Sequence, residues 1–496
     1  MYQKGFDNDL YISTQSARIR ERIDQLGGKL YLEFGGKLFD DYHAARVLPG
    51  FAPDSKIRML IQLKEQAEIV IVINANDIEK NKVRGDLGIT YDLDVLRLID
   101  AFRSFGLYVG SVVFTRWQDQ PAAIKFRLRL ESLGVRVYRH YTIPGYPSDI
   151  ARIVSDEGYG RNDYIETTRS LVVVTAPGPG SGKMATCLSQ LYHDQKLGIQ
   201  AGYAKFETFP IWNLPLKHPV NLAYEAATAD LNDINMIDHF HLEAYGKPAV
   251  NYNRDIEIFP VLNAMLARIN GESVYRSPTD MGVNMAGFCI IDDEAVCQAA
   301  NMEIIRRYYQ AICEHRKNGE VGESHDVEKL QLIMQSAGLD TSYRNVATVA
   351  NRKAQDTGKP AAAIELPDGR TVTGKTSRLL GAASAALLNA LKLMAGIDDR
   401  IDLISPEILE PITNLKVRTL GSKNLRLHPN ELLIALSICA VTDPVAASAQ
   451  EQLAHLRHCE MHSSVILSES DEHTLKKLGI HLTCEPVYES KRLYHG

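Results

Sequence analysis

Apolar residues in the first half of the chain form short continuous runs that alternate with segments of helical spacing. The run at residues 68–74, Glu-Ile-Val-Ile-Val-Ile-Asn, is β-branched at its centre, which is typical of a parallel strand covered on both faces. The alternation predicts a doubly wound parallel sheet, whose ligands bind beyond the carboxyl ends of the strands. The other predicted strands are 107–114, 135–140, the run from Leu171 and 201–206, and the predicted helices are 92–105 and 121–133.

Residues 255–355 show mainly helical periodicity, and strands and helices alternate again from residue 356 onward. We therefore predict a multidomain α/β protein with three parts: a P-loop-like α/β domain over residues 1–254, a mainly helical domain over 255–355, and a C-terminal α/β domain with a β-hairpin over 356–496. The predicted helices of the last two parts are 256–269, 293–317, 327–336, 343–353, 379–397, 406–415 with a break at Pro411, 429–441, 444–456 and 471–478, and the last predicted strands are 459–467 and 481–484.

The composition is that of an ordinary globular protein, with 45% hydrophobic and 23% charged residues. A formal net charge of −6 argues against a general nucleic-acid or anionic-membrane binder. The longest apolar stretch, residues 379–397, contains Asn389 and Lys392 and predicts a buried helix rather than a membrane span. Seven cysteines without a C-x-x-C pair, and an N-terminus without an apolar leader, predict a reduced, cytoplasmic protein.

The strand that begins at Leu171 runs into a glycine-rich loop and a helix, which is the arrangement that cradles phosphate groups. We predict that the loop binds a phosphorylated ligand, with ATP a candidate. The full motif requires glycine at position 177 and a hydroxyl at 184, where this chain has Pro177 and Met184. Mg²⁺ is therefore less well supported than phosphate. The alternative is a tight strand-to-helix turn with a solvated lysine. The predicted binding residues are Gly178, Gly180, Ser181, Gly182, Lys183 and Thr186.

A second polar segment follows the strand at residues 68–74 and contains Asn76, Asp77, Lys82 and Arg84. If this strand and the Leu171 strand are neighbours, these side chains face the same cleft as the glycine loop. A solvated turn is the alternative interpretation.

The segment 230–243 contains more potential ligands and acid–base groups than any other stretch of the chain. Its carboxylates and imidazoles can coordinate a divalent metal or relay protons, although a polar loop explains them equally well. On a strand, His239 and His241 would share a face, whereas on a helix they would diverge. The predicted catalytic residues are Lys183, Asp230, Asp233, Asp238, His239 and Arg254, the last as a clamp for negative charge.

Two other segments match nucleotide-binding motifs in letter only. Residues 369–376 satisfy G-x-x-x-x-G-K-[ST] in full, yet the alternating runs on either side predict a hairpin, with Gly369 in its turn. Thr376 or Ser377 is predicted to cap the following helix. Residues 288–294 resemble a Walker B strand, but the helical spacing that follows favours acidic residues at a helix start.

Cys459, His462 and Cys484 offer three ligands of the kind found in catalytic zinc sites. Scattered buried cysteines are common, so ordinary core positions are the alternative.

Residues 35–50 (Gly-Gly-Lys-Leu-Phe-Asp-Asp-Tyr-His and onward), 74–90, the glycine loop, 366–389 and 456–485 together resemble an uncharacterised bacterial family, domain-of-unknown-function family 1846. The resemblance covers nearly the whole chain. It implies a multidomain cytoplasmic protein with a P-loop-like N-terminal domain, a helical middle and a C-terminal subdomain of deaminase-like topology. The deaminase signature H-x-E…P-C-x-x-C is absent from this sequence. Some relatives carry a label as ATP-dependent peptidases, which no motif here supports.

These observations favour an enzyme that binds a nucleotide or another phosphorylated small molecule and carries out phosphoryl transfer or ATP-driven ligation. A non-catalytic sensor of a phosphorylated metabolite, assembled as a homo-oligomer, is the second hypothesis. A zinc hydrolase built on the C-terminal cysteines and histidine is the third. None of the three requires nucleic acid or a membrane.

Overall fold

The computed structural model describes residues 3–84, 87–231, 233–319 and 324–489. The chain folds into two compact units. The N-terminal unit comprises Lys4–Glu225 and Leu231–Ala299, and the C-terminal unit comprises Ala226–Asp230 and the described residues from Ala300 onward. The predicted domain boundaries at residues 254 and 355 stay predictions.

The strands of the N-terminal unit are β1 (Leu30–Phe34), β2 (Ala67–Asn74), β3 (Val83–Arg84), β4 (Ile89–Thr90), β5 (Tyr108–Trp117), β6 (Arg136–Tyr141), β7 (Leu171–Thr175), β8 (Gly202–Phe206), β9 (Asn235–Ile237) and β10 (Val250–Tyr252). Its helices are α1 (Asn8–Gln25), α2 (Tyr42–Val47), α3 (Ser55–Gln62), α4 (Ala75–Glu79), α5 (Tyr91–Ser104), α6 (Pro121–Ser132), α7 (Ile150–Ile153), α8 (Lys183–Lys196), α9 (Pro219–Ala227, which ends in the other unit), α10 (His239–Tyr245), α11 (Asn253–Asn270) and α12 (Pro278–Met281).

Six of these strands form one sheet in the order β6-β5-β2-β7-β1-β8, and every neighbouring pair is parallel. The chain leaves β2 toward β5 on one side, and it leaves β7 toward β8 on the other. The crevice between the carboxyl ends of β2 and β7 is therefore a topological switch point, where open α/β sheets bind their ligands. The predicted parallel sheet is confirmed, and it contains β1 as a sixth strand beside the five that the sequence predicted.

The core of this unit explains why β2 and β7 lie at the centre of the sheet. All eight residues of β2 and all five of β7 are buried. Alternate side chains, including Val70, Val72, Val172 and Val174, pack in one cluster with residues of α8 and α11. Since successive strand residues point to opposite faces, the complete burial of β2 requires cover on both faces.

The C-terminal unit contains most of α13 (Asp293–Lys317), followed by α14 (His325–Ser336), α15 (Asn345–Thr357), β11 (Ala361–Glu365), β12 (Thr371–Lys375), α16 (Ala382–Met394), α17 (Pro406–Asn414), α18 (Pro429–Ala440), α19 (Pro444–Glu451), β13 (Glu460–Ser463), α20 (Glu469–Lys477) and β14 (His481–Cys484). Its sheet has the order β12-β11-β13-β14, in which β11 is antiparallel to both neighbours and β13 is parallel to β14. Alanine and leucine side chains of α16, α18 and α19 fill its core.

Two local predictions in this unit are wrong. The alanine-rich helix starts at Ala382 with Gly381 as its N-cap, so neither Thr376 nor Ser377 caps it. The Ser377 hydroxyl instead accepts the N–H groups of Leu379 and Leu380 in a separate turn. The other wrong prediction concerns Pro411, which lies inside α17 without ending it. Among the described residues, no helix has the length and apolarity needed to cross a membrane.

Candidate functional site

The glycine loop adopts a backbone that side chains other than hydrogen disfavour. Gly180 has φ of +71° and Gly182 has φ of +95°, both in the left-handed region. Gly182 is the N-cap of α8, and no side chain caps that end of the helix. The first N–H groups of α8 and the positive end of its dipole thus lie at the switch point, beside β2.

Neighbouring strands hold this loop in position. The Thr115 hydroxyl, at the carboxyl end of β5, donates to the Ser181 carbonyl at 2.5 Å. A Cβ on Gly178 would overlap the Tyr91 hydroxyl, so glycine is required there by close packing. The Ser181 hydroxyl is itself buried, and it has no hydrogen-bond partner within the described structure. A buried donor without a partner costs stability, which is a common sign that a ligand completes the site.

The hydroxyl of Thr186 does not face a ligand. It donates to the Gly182 carbonyl at 3.0 Å, four residues earlier on the same helix. Thr186 therefore does not take the place of the missing hydroxyl at position 184.

Two lysines lie at or near the loop. Lys183 is the first residue of α8 and is half-buried. The Lys82 ammonium lies 5.0 Å from the centre of the Tyr91 ring, which packs against Gly178, and 3.5 Å from an Asp77 carboxylate oxygen. The pairing of β2 with β7 confirms the condition on which the shared cleft was predicted.

Two further residues of the polar segment after β2 have partners of their own. Arg84 pairs with Asp94 at 2.8 Å, and the Asn76 side-chain oxygen accepts from Gln120 at 2.9 Å. At the end of β5, the exposed Arg116 has φ of +52°, an uncommon conformation for arginine that concentrates at functional sites.

Acidic groups lie at the same edge of the sheet, where β1 and β8 end. The Lys205 ammonium contacts an Asp255 carboxylate oxygen at 2.6 Å and a Glu207 oxygen at 3.1 Å. Glu33 accepts the Tyr203 hydroxyl at 2.7 Å. We call Glu33, Lys205, Glu207 and Asp255 the acidic cluster. It contains three carboxylates and one cation.

Burial and the excess of negative charge shift the protonation of the acidic cluster. Burial is the largest influence and raises the pKa of Glu207 to about 7, while Lys205 opposes the shift and the Asp255 and Glu33 carboxylates add to it. Burial alone would lower the pKa of Lys205, but the same carboxylates raise it above its usual value. A carboxyl that titrates near neutral pH is suited to general acid–base chemistry.

The residues predicted from segment 230–243 lie mainly around the two-stranded sheet of β9 and β10. Asp238 is fully buried as the N-cap of α10, where it accepts from the His241 N–H at 3.0 Å and the Thr279 hydroxyl at 2.6 Å. Those bonds give its carboxylate a capping role. Asp230 is exposed on a 3₁₀ turn that is grouped with the C-terminal unit.

Three more of the residues predicted for catalysis lie in this part of the chain. Asp233 is buried and lies 3.4 Å from Arg254, whose side chain is largely exposed at the start of α11. His239 is exposed and its ring packs against Phe240. Because His239–Tyr245 is a helix, the side chains of His239 and His241 diverge rather than share a face.

The three side chains of the alternative zinc site, Cys459, His462 and Cys484, do not come together in the C-terminal unit. His462 pairs with Thr483 across β13 and β14, whereas Cys484 pairs with Ser463 and faces the other side of the sheet. The His462 ring contacts the Thr483 hydroxyl at 2.8 Å and lies 3.3 Å from Glu485. The Cys459 thiol lies 3.7 Å from the His455 carbonyl. Three ligands that point in different directions do not enclose one metal.

The acidic cluster was missed because its members are far apart in the sequence. Glu33, Lys205 and Asp255 meet only when β1 and β8 pair and α11 packs beside them. One signal was available: Glu33 and Lys205 are charged residues near the ends of otherwise apolar strands. Charged side chains at that end of a parallel strand are candidates for the ligand site.

The fold and these contacts define the class of protein: a multidomain α/β protein with a six-stranded parallel sheet and a polar site at its carboxyl edge. The chain belongs to the DUF1846 family. Residues 4–338 match the model described as "Domain of unknown function DUF1846, N-terminal", and residues 342–494 match the corresponding C-terminal model. The predicted family is confirmed.

Relatives resemble the chain over its whole length. It is 58% identical over 494 residues to a UPF0371 protein of Streptococcus pneumoniae serotype 2 strain D39, with 100% of both chains covered. A UPF0371 protein of Streptococcus sanguinis strain SK36 is 59% identical over 494 residues, again with 100% of both covered. Among solved structures, the ORC2 protein of Aeropyrum pernix in its ADP form matches with a TM-score of 0.16 and 11% identity, over 87% of this chain and 85% of that one. A TM-score this low carries no argument about fold or function.

Proposed function

We propose that the carboxyl edge of the six-stranded sheet binds a phosphorylated small molecule, a nucleotide or a sugar phosphate, at Gly178–Lys183. The observation that carries the proposal is the buried, unpartnered hydroxyl of Ser181 next to an uncapped helix N-terminus at the switch point. Backbone N–H groups at such a terminus donate hydrogen bonds to phosphate oxygens, and the helix dipole favours the negative charge of the phosphate.

Lysine and arginine side chains complete the proposed site. Lys183 neutralises phosphate charge from the start of α8, and Lys82 and Arg116 are placed at the ends of neighbouring elements to do the same. Mg²⁺ is not needed for this mode of binding, and the use of the Thr186 hydroxyl within α8 gives the metal one ligand fewer. ATP is one candidate among several phosphorylated ligands.

Phosphoryl transfer or ATP-driven ligation remains the reaction that we propose. Glu207 takes the acid–base role in this proposal, because its pKa lies near 7 and it belongs to the sheet edge that carries the loop. The catalytic roles of Asp230, Asp233, Asp238, His239 and Arg254 stay predictions. The capping bonds of Asp238 make it the weakest of them. The deaminase-like topology of the C-terminal unit, cytoplasmic location and homo-oligomeric assembly also stay predictions.

The test is isothermal titration of the full chain with ATP, ADP, AMP, several sugar phosphates and inorganic phosphate. We expect at least one organic phosphate to bind, and Lys183→Ala to weaken that binding by about 10- to 100-fold, the value of one hydrogen bond to a charged group. Lys375→Ala is the matched control, since it removes the lysine of the other Gly-Lys pair, and it should leave the affinity unchanged.

The proposal is contradicted if no compound of the panel binds, or if Lys183→Ala and Lys375→Ala weaken the binding equally. If a ligand binds, incubation with a candidate acceptor and assay of released phosphate distinguishes an enzyme from a sensor. Turnover that Glu207→Gln reduces supports the transfer reaction. Tight binding without turnover favours the non-catalytic sensor.

A further inference from the structure

A second group of ligand-type side chains lies in the N-terminal unit, at the start of α13. The ligand atoms of His218, Asp293 and Cys297 all lie within 4.8 Å of one another. His218 Nε2 is 3.1 Å from Asp293 Oδ1 and 3.6 Å from Cys297 Sγ, and that sulfur is 3.9 Å from Asp293 Oδ2. None of the three residues takes part in the glycine-loop site.

We propose that His218, Asp293 and Cys297 bind a zinc ion and leave its fourth coordination position open. Zinc forms bonds of about 2.3 Å to sulfur and about 2.0 Å to nitrogen or oxygen, so a tetrahedral ion separates its ligand atoms by about 3.3 to 3.6 Å. The separations of Nε2 from Asp293 Oδ1 and from the Cys297 sulfur lie close to this range, and the sulfur is 3.9 Å from the other oxygen of the same carboxylate. Shifts of a few tenths of an ångström bring the side chains onto the ion.

The positions of these residues in the fold suit ligation. Asp293 and Cys297 are four residues apart on α13 and therefore point from the same face of the helix. His218 directly precedes α9, and its ring is nearly buried, whereas the Asp293 side chain is 69% exposed. The site is thus fixed on its protein side and open to water or substrate on the other, as in catalytic zinc sites with three protein ligands.

The same three residue types also form nucleophilic triads in other proteins, but these three residues are not arranged as a triad. In a triad, the carboxylate and the nucleophile bond to different ring nitrogens of the histidine. Here both Asp293 and Cys297 approach Nε2, and Nδ1 accepts the Val220 N–H at 3.2 Å.

Binding of zinc changes the protonation of His218 and Cys297. Without metal, Nδ1 accepts a hydrogen bond, so the ring proton is on Nε2 and faces Asp293. On binding, that proton moves to Nδ1 and the Val220 hydrogen bond breaks. The Cys297 thiol releases its proton to water, and the sulfur, Nε2 and one carboxylate oxygen each donate a lone pair to the zinc ion. One proton therefore leaves for each ion bound.

Cobalt(II) titration of the purified, metal-free full chain tests this assignment without any assay of activity. We expect one equivalent to produce a thiolate-to-cobalt charge-transfer band and the intense visible bands of a tetrahedral ion, and zinc to displace it. Cys297→Ser should abolish the charge-transfer band, whereas Cys439→Ala, which removes a thiol in the other unit, should keep it.

Asp293→Asn should weaken binding at least tenfold. Its matched control is Glu294→Gln, which makes the same charge change at the next, exposed position of the same helix and should alter the affinity less than twofold. Absence of the bands in the wild-type chain, full bands in Cys297→Ser, or equal weakening by Asp293→Asn and Glu294→Gln would overturn the proposal. Because the readout is metal binding, its failure is separate from any failure at the glycine loop.

Discussion

Each unit contains a cluster of buried charged side chains, and the two clusters differ in whether cations neutralise the buried carboxylates. In the C-terminal unit, Glu460 accepts from Arg306 at 2.8 Å and from the fully buried Arg344. Burial opposes the ionisation of Glu460, but the two guanidinium groups outweigh it and lower the pKa of the carboxyl to about 2. In the acidic cluster of the N-terminal unit, one ammonium contacts two of the three carboxylates, and the pKa of Glu207 is raised to about 7.

The difference separates a structural network from a candidate functional one. Arg344 also donates to the Met461 carbonyl at 2.9 Å, the His481 carbonyl at 2.8 Å and the Thr483 hydroxyl at 2.9 Å, so its fork ties the helical segment before α15 to β13 and β14. The guanidinium donors of Arg344 have acceptors, and its charge is paired with the Glu460 carboxylate. The acidic cluster has excess negative charge, and titratable groups held away from their usual pKa are concentrated at functional sites.

Replacing Arg344 by methionine should have the largest effect. The change leaves Glu460 buried with one of its two cations, and breaking a buried ion pair in this way costs about 3 to 5 kcal/mol. Urea denaturation, with hydrogen exchange followed in β13, should show this loss of unfolding free energy in the C-terminal unit. Arg400→Met, at an arginine whose side chain is 90% exposed, should change nothing measurable. An Arg344→Met protein as stable as the wild type would refute the structural role of the network.

Acid should remove the contribution of Glu460. Its folded pKa of about 2 lies below the unfolded value near 4.5, so its stabilisation is present above pH 4.5 and is lost as the pH falls toward 2. We expect the free energy of unfolding of the wild type to exceed that of Glu460→Gln by about 3 kcal/mol at pH 6. The two values should converge near pH 2. Denaturation curves of both proteins at several pH values provide the measurement. A gap that does not change with pH would contradict the low pKa.

Glu207 should respond to pH in the opposite direction. Its folded pKa of about 7 lies above the unfolded value, so the folded state holds more protons between pH 4.5 and 7 and stability falls as the pH rises through that window. Glu207→Gln should have the same free energy of unfolding as the wild type at pH 4 and exceed it by about 3 kcal/mol at pH 8. Glu65→Gln, at an exposed carboxylate of the same unit, should follow the wild type throughout. If the Gln variant is less stable than wild type at pH 8, Glu207 belongs with Glu460 as a structural charge.

The smallest loss of stability is expected for alanine substitutions of the glycines at the two ends of α8. Gly182 and Gly198 both have positive φ, and alanine at either should cost about 1 to 2 kcal/mol of strain. Only Gly182→Ala should also weaken phosphate binding, because its new methyl group lies 3.1 Å from Thr115, whereas a methyl group on Gly198 meets open space. Thermal denaturation and the titration described above measure the two effects. Equal loss of binding in both variants would show that the loop backbone does not contact the ligand.

Segments whose structure depends on neighbours in the sequence were predicted well. The predicted helix at 293–317 has the observed bounds, and the hairpin pairs Ile364 with Val372. That hairpin contains the complete G-x-x-x-x-G-K-[ST] motif, with Gly369 in its turn and Gly374 so close to the α16 backbone that a Cβ would overlap it. The incomplete motif at Gly178 is the one that lies at the carboxyl edge of a parallel sheet.

The sequence alone determined the strand and helix pattern and the strand-loop-helix order around Gly178, because period, breakers and glycine content act over a few residues. It also determined the family to which the chain belongs. Tertiary structure alone decided the sheet order that makes β2 and β7 neighbours and the grouping of Glu33, Lys205, Glu207 and Asp255. It likewise decided the separation of Cys459, His462 and Cys484 and the meeting of His218 with Asp293 and Cys297. Charges and ligands interact through space over a few ångströms, and the distance between residues along the chain does not specify that proximity.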